Sequence, residues 1–316
     1  TNRRYPAGQS VDAEYAFHHW LTLYMQALGS VEPQLKRAGI MEEAPTPGKN
    51  YHVPLPPLGT GEDVELEDGQ EWPAGFQASG EVKGVVTKKG PKGLIFSEDD
   101  LLETNLPTVN ANVMALGRAE KLFEDKLGAR ALEAALTTTG VDNVALISTL
   151  HLQDPRDANS AKQSNSYNLA LSPDAILEMA AGFRKLKTES GDPVFGEDVK
   201  FTVVVPPSLQ PDAEKSLDRQ IVGEALGVAG AGVTNVAYKK AAMLVVPQLT
   251  DATRWWMVVN NMARKAILRV VFRAMQRFQL GPESDLWKSK QMMKIFSNEK
   301  SAYRVVDYRL IASSKP

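Results

Sequence analysis

The sequence predicts an α+β fold in which one long helix and several buried strands make the core and an extended arm stands outside it. Three observations carry this expectation. Val109, Val113, Leu116, Ala119, Phe123, Leu127, Ala131 and Ala134 recur at three- and four-residue spacing, which draws one apolar stripe along a helix over 108–136. Phe201 to Val205 is a buried-type strand closed by Pro206-Pro207. Residues 51–97 carry strand and hairpin signals but few large apolar side chains for their length.

In chain order, Ser10 is an N-cap for a helix over 10–29, with Asp12 and Glu14 at the positive end of its dipole and Tyr15, Trp20, Leu23 and Leu28 supplying bulk. A short second helix is expected over 31–38. Pro45, Pro47, Pro54, Pro56 and Pro57 then exclude helix and predict an extended excursion. Val64 and Leu66 alternate with acidic residues up to Asp68-Gly69, a two-residue hairpin signal, and a second extended run covers 80–87. An arm with so little core of its own needs a partner to lie on, so 51–96 is expected to be intermolecular.

Ser97 caps a short turn or helix through Glu103. Gly117 and Gly128 inside the long helix each cost about 1 kcal/mol relative to alanine, which points to close approach of another backbone. After a polar passage over 153–168, Ser172-Pro173-Asp174 starts a helix bearing Ile176, Met179, Phe183 and Leu186. A further helix over 211–226, a glycine-rich loop over 227–232, and strands over 242–246, 255–259, 266–272 and 303–311 complete the chain. In the 255–259 strand, Trp255 and Trp256 are expected on opposite faces, one in the core and one at a subunit contact.

The 316 residues, 43% hydrophobic and 23% charged, suffice for one elaborated domain or two modest ones. The absence of cysteine excludes disulfides, thiolate metal sites and cysteine nucleophiles. No apolar run is long enough for a membrane helix, and no signal core follows a basic start, so no membrane partner is expected. Net charge is only −2, yet 41–104 holds thirteen acidic against five basic residues and 254–316 four against thirteen. Such polarity is either self-complementary between copies or two solvated surfaces.

Chemistry-bearing residues form no recognisable site. His18 and His19 are adjacent and diverge on a helix, and His52 and His151 lack partners at metal-like spacing. No G-x-S-x-G elbow is present, and the 227–232 loop follows a helix where a phosphate cradle would follow a strand. No cofactor and no catalytic residue are expected. The basic final third offers sequence-independent phosphate contact at most.

Several segments taken together resemble the Mu-like major head subunit family of tailed phages. These are His151-Leu152 with the polar passage to Asn168, Leu171-Ser172, Gly191-Asp192-Pro193-Val194, and Phe201 through Pro206-Pro207-Ser208-Leu209. They continue with Met243 through Pro247-Gln248-Leu249, Trp255-Trp256-Met257-Val258 and Tyr303 through Arg309, with Lys88-Lys89-Gly90 to Asp99 as an arm's return strand. The resemblance spans about 80–310. It implies the Hong Kong 97-type capsid fold: an amino-terminal arm and helices over 1–50, an extended β loop over 51–97, a peripheral domain with a spine helix over 98–170, an axial domain over 171–250, and return strands over 251–316.

The same resemblance implies a structural protein, not an enzyme. Pentamers and hexamers would close into an icosahedral shell around double-stranded DNA in a virion assembled in the host cytoplasm. A portal is implied, with scaffold, maturation protease and decoration proteins as further partners. Residues expected at subunit contacts are Trp72, Lys83, Lys88, Lys89 and Lys92 on the arm and Arg264, Arg269 and Arg273 in the basic third. The lysine–asparagine crosslink of some relatives has no matching pair here. A start at Thr1 without methionine fits either proteolytic removal of a scaffold segment, disorder or tag removal. The competing readings are an encapsulin-like compartment shell and a small-molecule enzyme of α+β type with a deep pocket.

Overall fold

The computed structural model describes residues 13–30, 32–55, 80–89, 93–97, 106–140, 142–154, 157–189, 191–219, 221–222, 233–262, 264–280, 284–290 and 292–316. The expected Ser10 cap, Asp68-Gly69 turn, turn after Ser97 and glycine loop over 227–232 lie outside them. Helix α1 (Ala13–Gly29) is followed by the one-turn α2 (Gln34–Arg37), strand β1 (Met41–Pro45) and strand β2 (Asn50–Leu55). Strand β3 (Gly80–Val85) returns along β2, and β4 (Thr87–Lys89) and β5 (Leu94–Ser97) precede the long helix α3 (Leu106–Ala134). Short strands β6 (His151–Leu152), β7 (Lys162–Gln163) and β8 (Ser166–Tyr167) lead to α4 (Pro173–Arg184), β9 (Phe201–Val205) and α5 (Gln210–Leu217). There follow β10 (Ile221–Val222), β11 (Val233–Thr234), β12 (Ala241–Val245), β13 (Trp255–Val259), β14 (Ile267–Leu280), α6 (Asp285–Lys290), β15 (Met292–Val305) and β16 (Ile311–Ser314).

Two five-stranded sheets organise these elements. The first has the order β1-β14-β15-β4, with β5 also on β15; the second runs β12-β9-β13-β16-β8. Residues 251–316 therefore serve both sheets, β14 and β15 in the first and β13 and β16 in the second. The continuous apolar runs of β9 and β13 fit central strands covered on both faces, and all ten of their residues are buried. This corrects the expectation that one ring of Trp255 and Trp256 faces a partner: both are buried, and Trp255 Nε1 donates to Leu169 O at 3.1 Å.

Helix α4 begins as its sequence predicts, with Ser172 Oγ accepting from Ala175 N at 3.1 Å and Pro173 in the first turn. Helix α5 stops well short of the expected residue 226. Asn235 Nδ2 donates to Ser216 O and Arg219 O, and Lys239 N donates to Leu217 O, so groups distant in sequence satisfy the carbonyls of its last turn. Helix α2 is likewise shorter than expected, because the Asp125 carboxylate on α3 accepts from Gln34 N and Leu35 N at 3.0 and 3.1 Å and serves as its cap.

Strand β1 escapes sequence reading, since Met-Glu-Glu-Ala-Pro has little strand character. Parallel pairing with β14, from Met41 on Ile267 to Pro45 on Val271, creates it, and as an edge strand it tolerates proline. The expected strands over 266–272 and 303–311 are instead two fourteen-residue strands, β14 and β15, and a separate β16. Their outer halves pair with each other, and that of β15 also with β5, in sequence where polar and charged residues interrupt the apolar ones, which leaves no apolar run to read. The chain breaks after Val305 because Asp307 Oδ1 accepts from Arg309 N at 2.9 Å and caps a turn over Tyr308–Leu310.

Trp20, Tyr24 and Leu28 of α1 pack on Val109, Val113 and Leu116 of α3, with Ile295 of β15, in a small cluster apart from the main core. Gly117 is where the two helices meet: a Cβ there would lie 2.8 Å from Tyr24 O and 2.9 Å from the Ala27 Cβ. At Gly128 the close neighbour is the Leu35 side chain, not a backbone. Gly117→Ala, which raises helix propensity by about 1 kcal/mol in isolation, is expected to destabilise the subunit by about 1–3 kcal/mol through overpacking. A rise in the denaturant midpoint would show that the helices have room to separate.

Candidate assembly surfaces

Of the arginines expected at subunit contacts, two are engaged inside the subunit. Arg269 on β14 is 6% exposed; its guanidinium donates to Glu43 Oε1 of β1 at 2.8 Å and Glu124 Oε2 of α3 at 3.4 Å, and also bonds Glu299 of β15. Tyr303 donates its hydroxyl to Glu299 at 3.0 Å. Burial works to raise the Glu43 carboxyl, but Lys36 at 3.0 Å and Arg269 outweigh it and hold it low. Glu124, where burial prevails over the attraction of Arg269 and Lys121, is raised.

Arg264, also 6% exposed, donates to Asp307 Oδ2 at 2.8 Å, and Arg309 binds the same carboxylate from its Nε and Nη2 at 3.1 and 3.0 Å. Burial opposes the charged form of Asp307, yet the two guanidiniums hold its carboxyl below the usual range. The reason these arginines depart from the expected contact role is electrostatic: buried glutamates and aspartate require cations in reach. Arg273 is exposed on the outer half of β14. Lys83 pairs in register with His52 in the arm ribbon, Lys88 with Lys300 and Lys89 with Glu299. Trp72 and Lys92 lie outside the described residues.

His151, without a partner on sequence spacing, has one in space. Its Nδ1 lies 2.6 Å from Asp142 Oδ2, and its ring stacks on Tyr308 at 3.7 Å between centroids. Both side chains are fully buried, and Asn165 beside them bonds backbone groups of 146, 148, 308 and 311, so this cluster ties the polar passage to the carboxy terminus. No fixed local spacing could have announced it. Among the described residues no three acidic or histidine groups gather as a metal site.

The outward surfaces lie on the first sheet and on the separate ribbon β2–β3. Among the described residues, strands β2 and β3 pair only with each other, whereas β4 and β5 pair with β15 of the same chain. The expected arm over 51–97 thus divides: its root is anchored in the subunit's own core by the buried Tyr51 and Val86, and its return strands β4 and β5 belong to the subunit's own sheet. Along β15, Ile295, Ser297, Glu299 and Ser301 are buried, while Lys294, Phe296 and Lys300 alternate with them on the opposite, partly open face. Register sets Leu280 and Ile95 beside Lys294, and Arg273 and Lys88 beside Lys300. Ile95 is 55% and Leu280 37% exposed. Lys294 Nζ stands 4.9 Å from the Phe296 ring centroid and Lys300 Nζ 6.0 Å from that of Phe272.

Arg269→Met, measured by urea unfolding of unassembled subunits, is expected to cost about 3–5 kcal/mol, because it strands the Glu299 carboxylate without a cation. The depressed Asp307, like Glu43 and Asp251, contributes to the acid limb. A carboxylate held below its ordinary range stabilises the fold fully above that range and loses the contribution as pH falls through it and below. Asp307→Asn is expected to lower stability at neutral pH and to flatten its decline in acid; an unchanged slope would assign acid sensitivity elsewhere.

Residues 81–305 match the phage capsid protein family. No curated protein sequence matches the chain. Among solved structures it is similar to a virus-like particle from Pyrococcus furiosus, at 12% identity over 95% of this chain and 99% of that one, with a TM-score of 0.53. It is similar to the capsid of the cyanophage P-SCSP1u, at 11% identity over 88% and 86%, TM-score 0.54. The satellite phage P4 procapsid, solved with its size determination protein Sid, matches at 13% identity over 93% and 90%, TM-score 0.53. At such identities the likeness is one of fold.

Proposed function

This chain belongs to the phage capsid protein family, with the Hong Kong 97-type fold, and on that premise we propose that it closes through pentamers and hexamers into an icosahedral shell around double-stranded DNA. The observation that carries the reading is the match over 81–305, which runs from the arm's return through the long hairpin and takes in every strand of the two five-stranded sheets except β1 and β16. The ribbon β2–β3 supports it, since among the described residues neither strand has a further partner, and an unpaired strand edge is a surface that pairs or docks. In this reading α3 is the spine helix, 1–50 the amino-terminal arm, 51–97 the extended loop, 98–170 the peripheral domain and 171–250 the axial domain. Residues 251–316 supply the return strands that join them.

Arg273 and the arm residues Trp72, Lys83, Lys88, Lys89 and Lys92 serve contacts between subunits. A portal, with scaffold, maturation protease or decoration proteins, completes the assembly in the host cytoplasm, and contact with DNA is by charge alone. The protein acts by assembly, not by catalysis.

Negative-stain electron microscopy of the purified protein, with size-exclusion chromatography, is expected to show closed shells or pentameric and hexameric rings. A uniform small species in every buffer would overturn the reading. Shells whose ultraviolet spectrum shows packaged protein without nucleic acid would move the assignment to a compartment shell.

A further inference from the structure

We propose that the outward face of α3, which carries Arg118, Lys126 and Arg130, is the surface on which the subunit meets the phosphates of double-stranded DNA. The inference rests on the capsid reading and gives its charge-only contact with DNA a place in the fold.

In sequence α3 is electrically neutral, with Glu120, Glu124, Asp125 and Glu133 against Arg118, Lys121, Lys126 and Arg130. Folding separates the two signs. Glu120 is buried and accepts from the Tyr24 hydroxyl of α1, Glu124 is buried against Arg269, and Asp125 is buried as the cap of α2. Glu133 Oε1 accepts from the Thr250 hydroxyl at 2.7 Å. Every acid of the helix is thus engaged within the subunit, and the positive charge is left on the outside.

Of the cations, Lys121 reaches back to Glu124 at 3.8 Å. Arg118, Lys126 and Arg130 are exposed, and among the described residues no ion pair engages them. With Leu122 they follow at four-residue steps along one row, about 6 Å per step and about 18 Å from end to end. Arg37, exposed at the end of α2, is near enough to attract the Asp125 carboxylate, which puts a further cation beside the row.

This chemistry fits a polyphosphate better than a protein. A duplex offers one negative charge about every 1.7 Å of its axis, so such a row meets phosphates at any register and reads no sequence. Protein interfaces are anchored by large side chains that fill pockets. Around the cations of α3 the exposed neighbours are Ala115, Ala119 and one large residue, Leu122. The cations of the β14–β15 hairpin differ in this respect, since aromatic rings stand among them.

The test measures binding of a fluorescent, random-sequence DNA duplex to the purified full chain across a salt series. Arg118→Gln, Lys126→Gln and Arg130→Gln together are expected to weaken binding about tenfold or more. They should also flatten the slope of log affinity against log salt by about 2.7, or about 0.9 for each lost phosphate contact. Lys126→Gln alone, expected to flatten it by about 0.9, keeps the test open if the triple variant does not fold. Arg118→Lys with Arg130→Lys is expected to retain the slope, because the contact is to charge. Shells of the triple variant are expected to carry less nucleic acid by ultraviolet absorbance.

An unchanged slope in the glutamine variants would overturn the proposal, as would a wild-type chain that binds no duplex. Loss of the slope in Arg273→Gln, Lys294→Gln and Lys300→Gln instead would give the DNA contact to the hairpin and overturn it too. Polyglutamate that binds the α3 face more tightly than the duplex would assign that face to an acidic protein. Absence of shells under the microscope would refute the capsid reading, and the salt slope, read on free chains, would still decide the α3 contact.

Discussion

The first sheet, the long helix and the segment before the arm meet at one buried guanidinium, that of Arg269, which reaches Glu43 on β1, Glu124 on α3 and Glu299 on β15. Apolar packing is non-directional and would let a strand slide, whereas charge-assisted hydrogen bonds hold donor and acceptor to a narrow range of distance and angle. Three acids from three elements around one cation therefore set where β1 lies on β14 and how the sheet sits on α3. The arm is rooted in the same subunit, because Tyr51 and Val86 are buried in its main core.

The two faces of the β14–β15 hairpin differ in burial. One face, with Ile295 and Glu299, packs inward on α1 and α3 and makes the subunit a unit. The other carries Arg273, Lys294 and Lys300 beside the exposed Ile95 and Leu280, and among the described residues no ion pair engages these cations. An open sheet face and a ribbon paired only with itself are features that a monomer would need to guard against.

The long helix, the α4 cap and the buried strands β9 and β13 were legible in sequence because each is governed by local periodicity or by residues a few positions apart. Ser172 caps the helix it precedes, and Val203 to Val205 are apolar on both faces because both faces are covered. The roles of Arg264 and Arg269 were not legible. A basic residue in an alternating strand reads the same whether its carboxylate comes from another subunit or from 226 residues away in its own chain, as Glu43 does for Arg269. His151 and Asp142 were hidden for the same reason, as was β1, which exists only through its partner strand.

By itself the sequence determined the fold class, the capsid resemblance, the separation of acidic arm from basic hairpin, and the helices and strands whose period shows in one dimension. Tertiary structure alone decided which charges are internal and which face outward, that both tryptophans are buried, where α5 stops, and how far the return strands extend. The physical reason is range. Propensity, capping and amphipathic pattern act over a few residues, while burial and the pairing of charges depend on elements that only folding brings together.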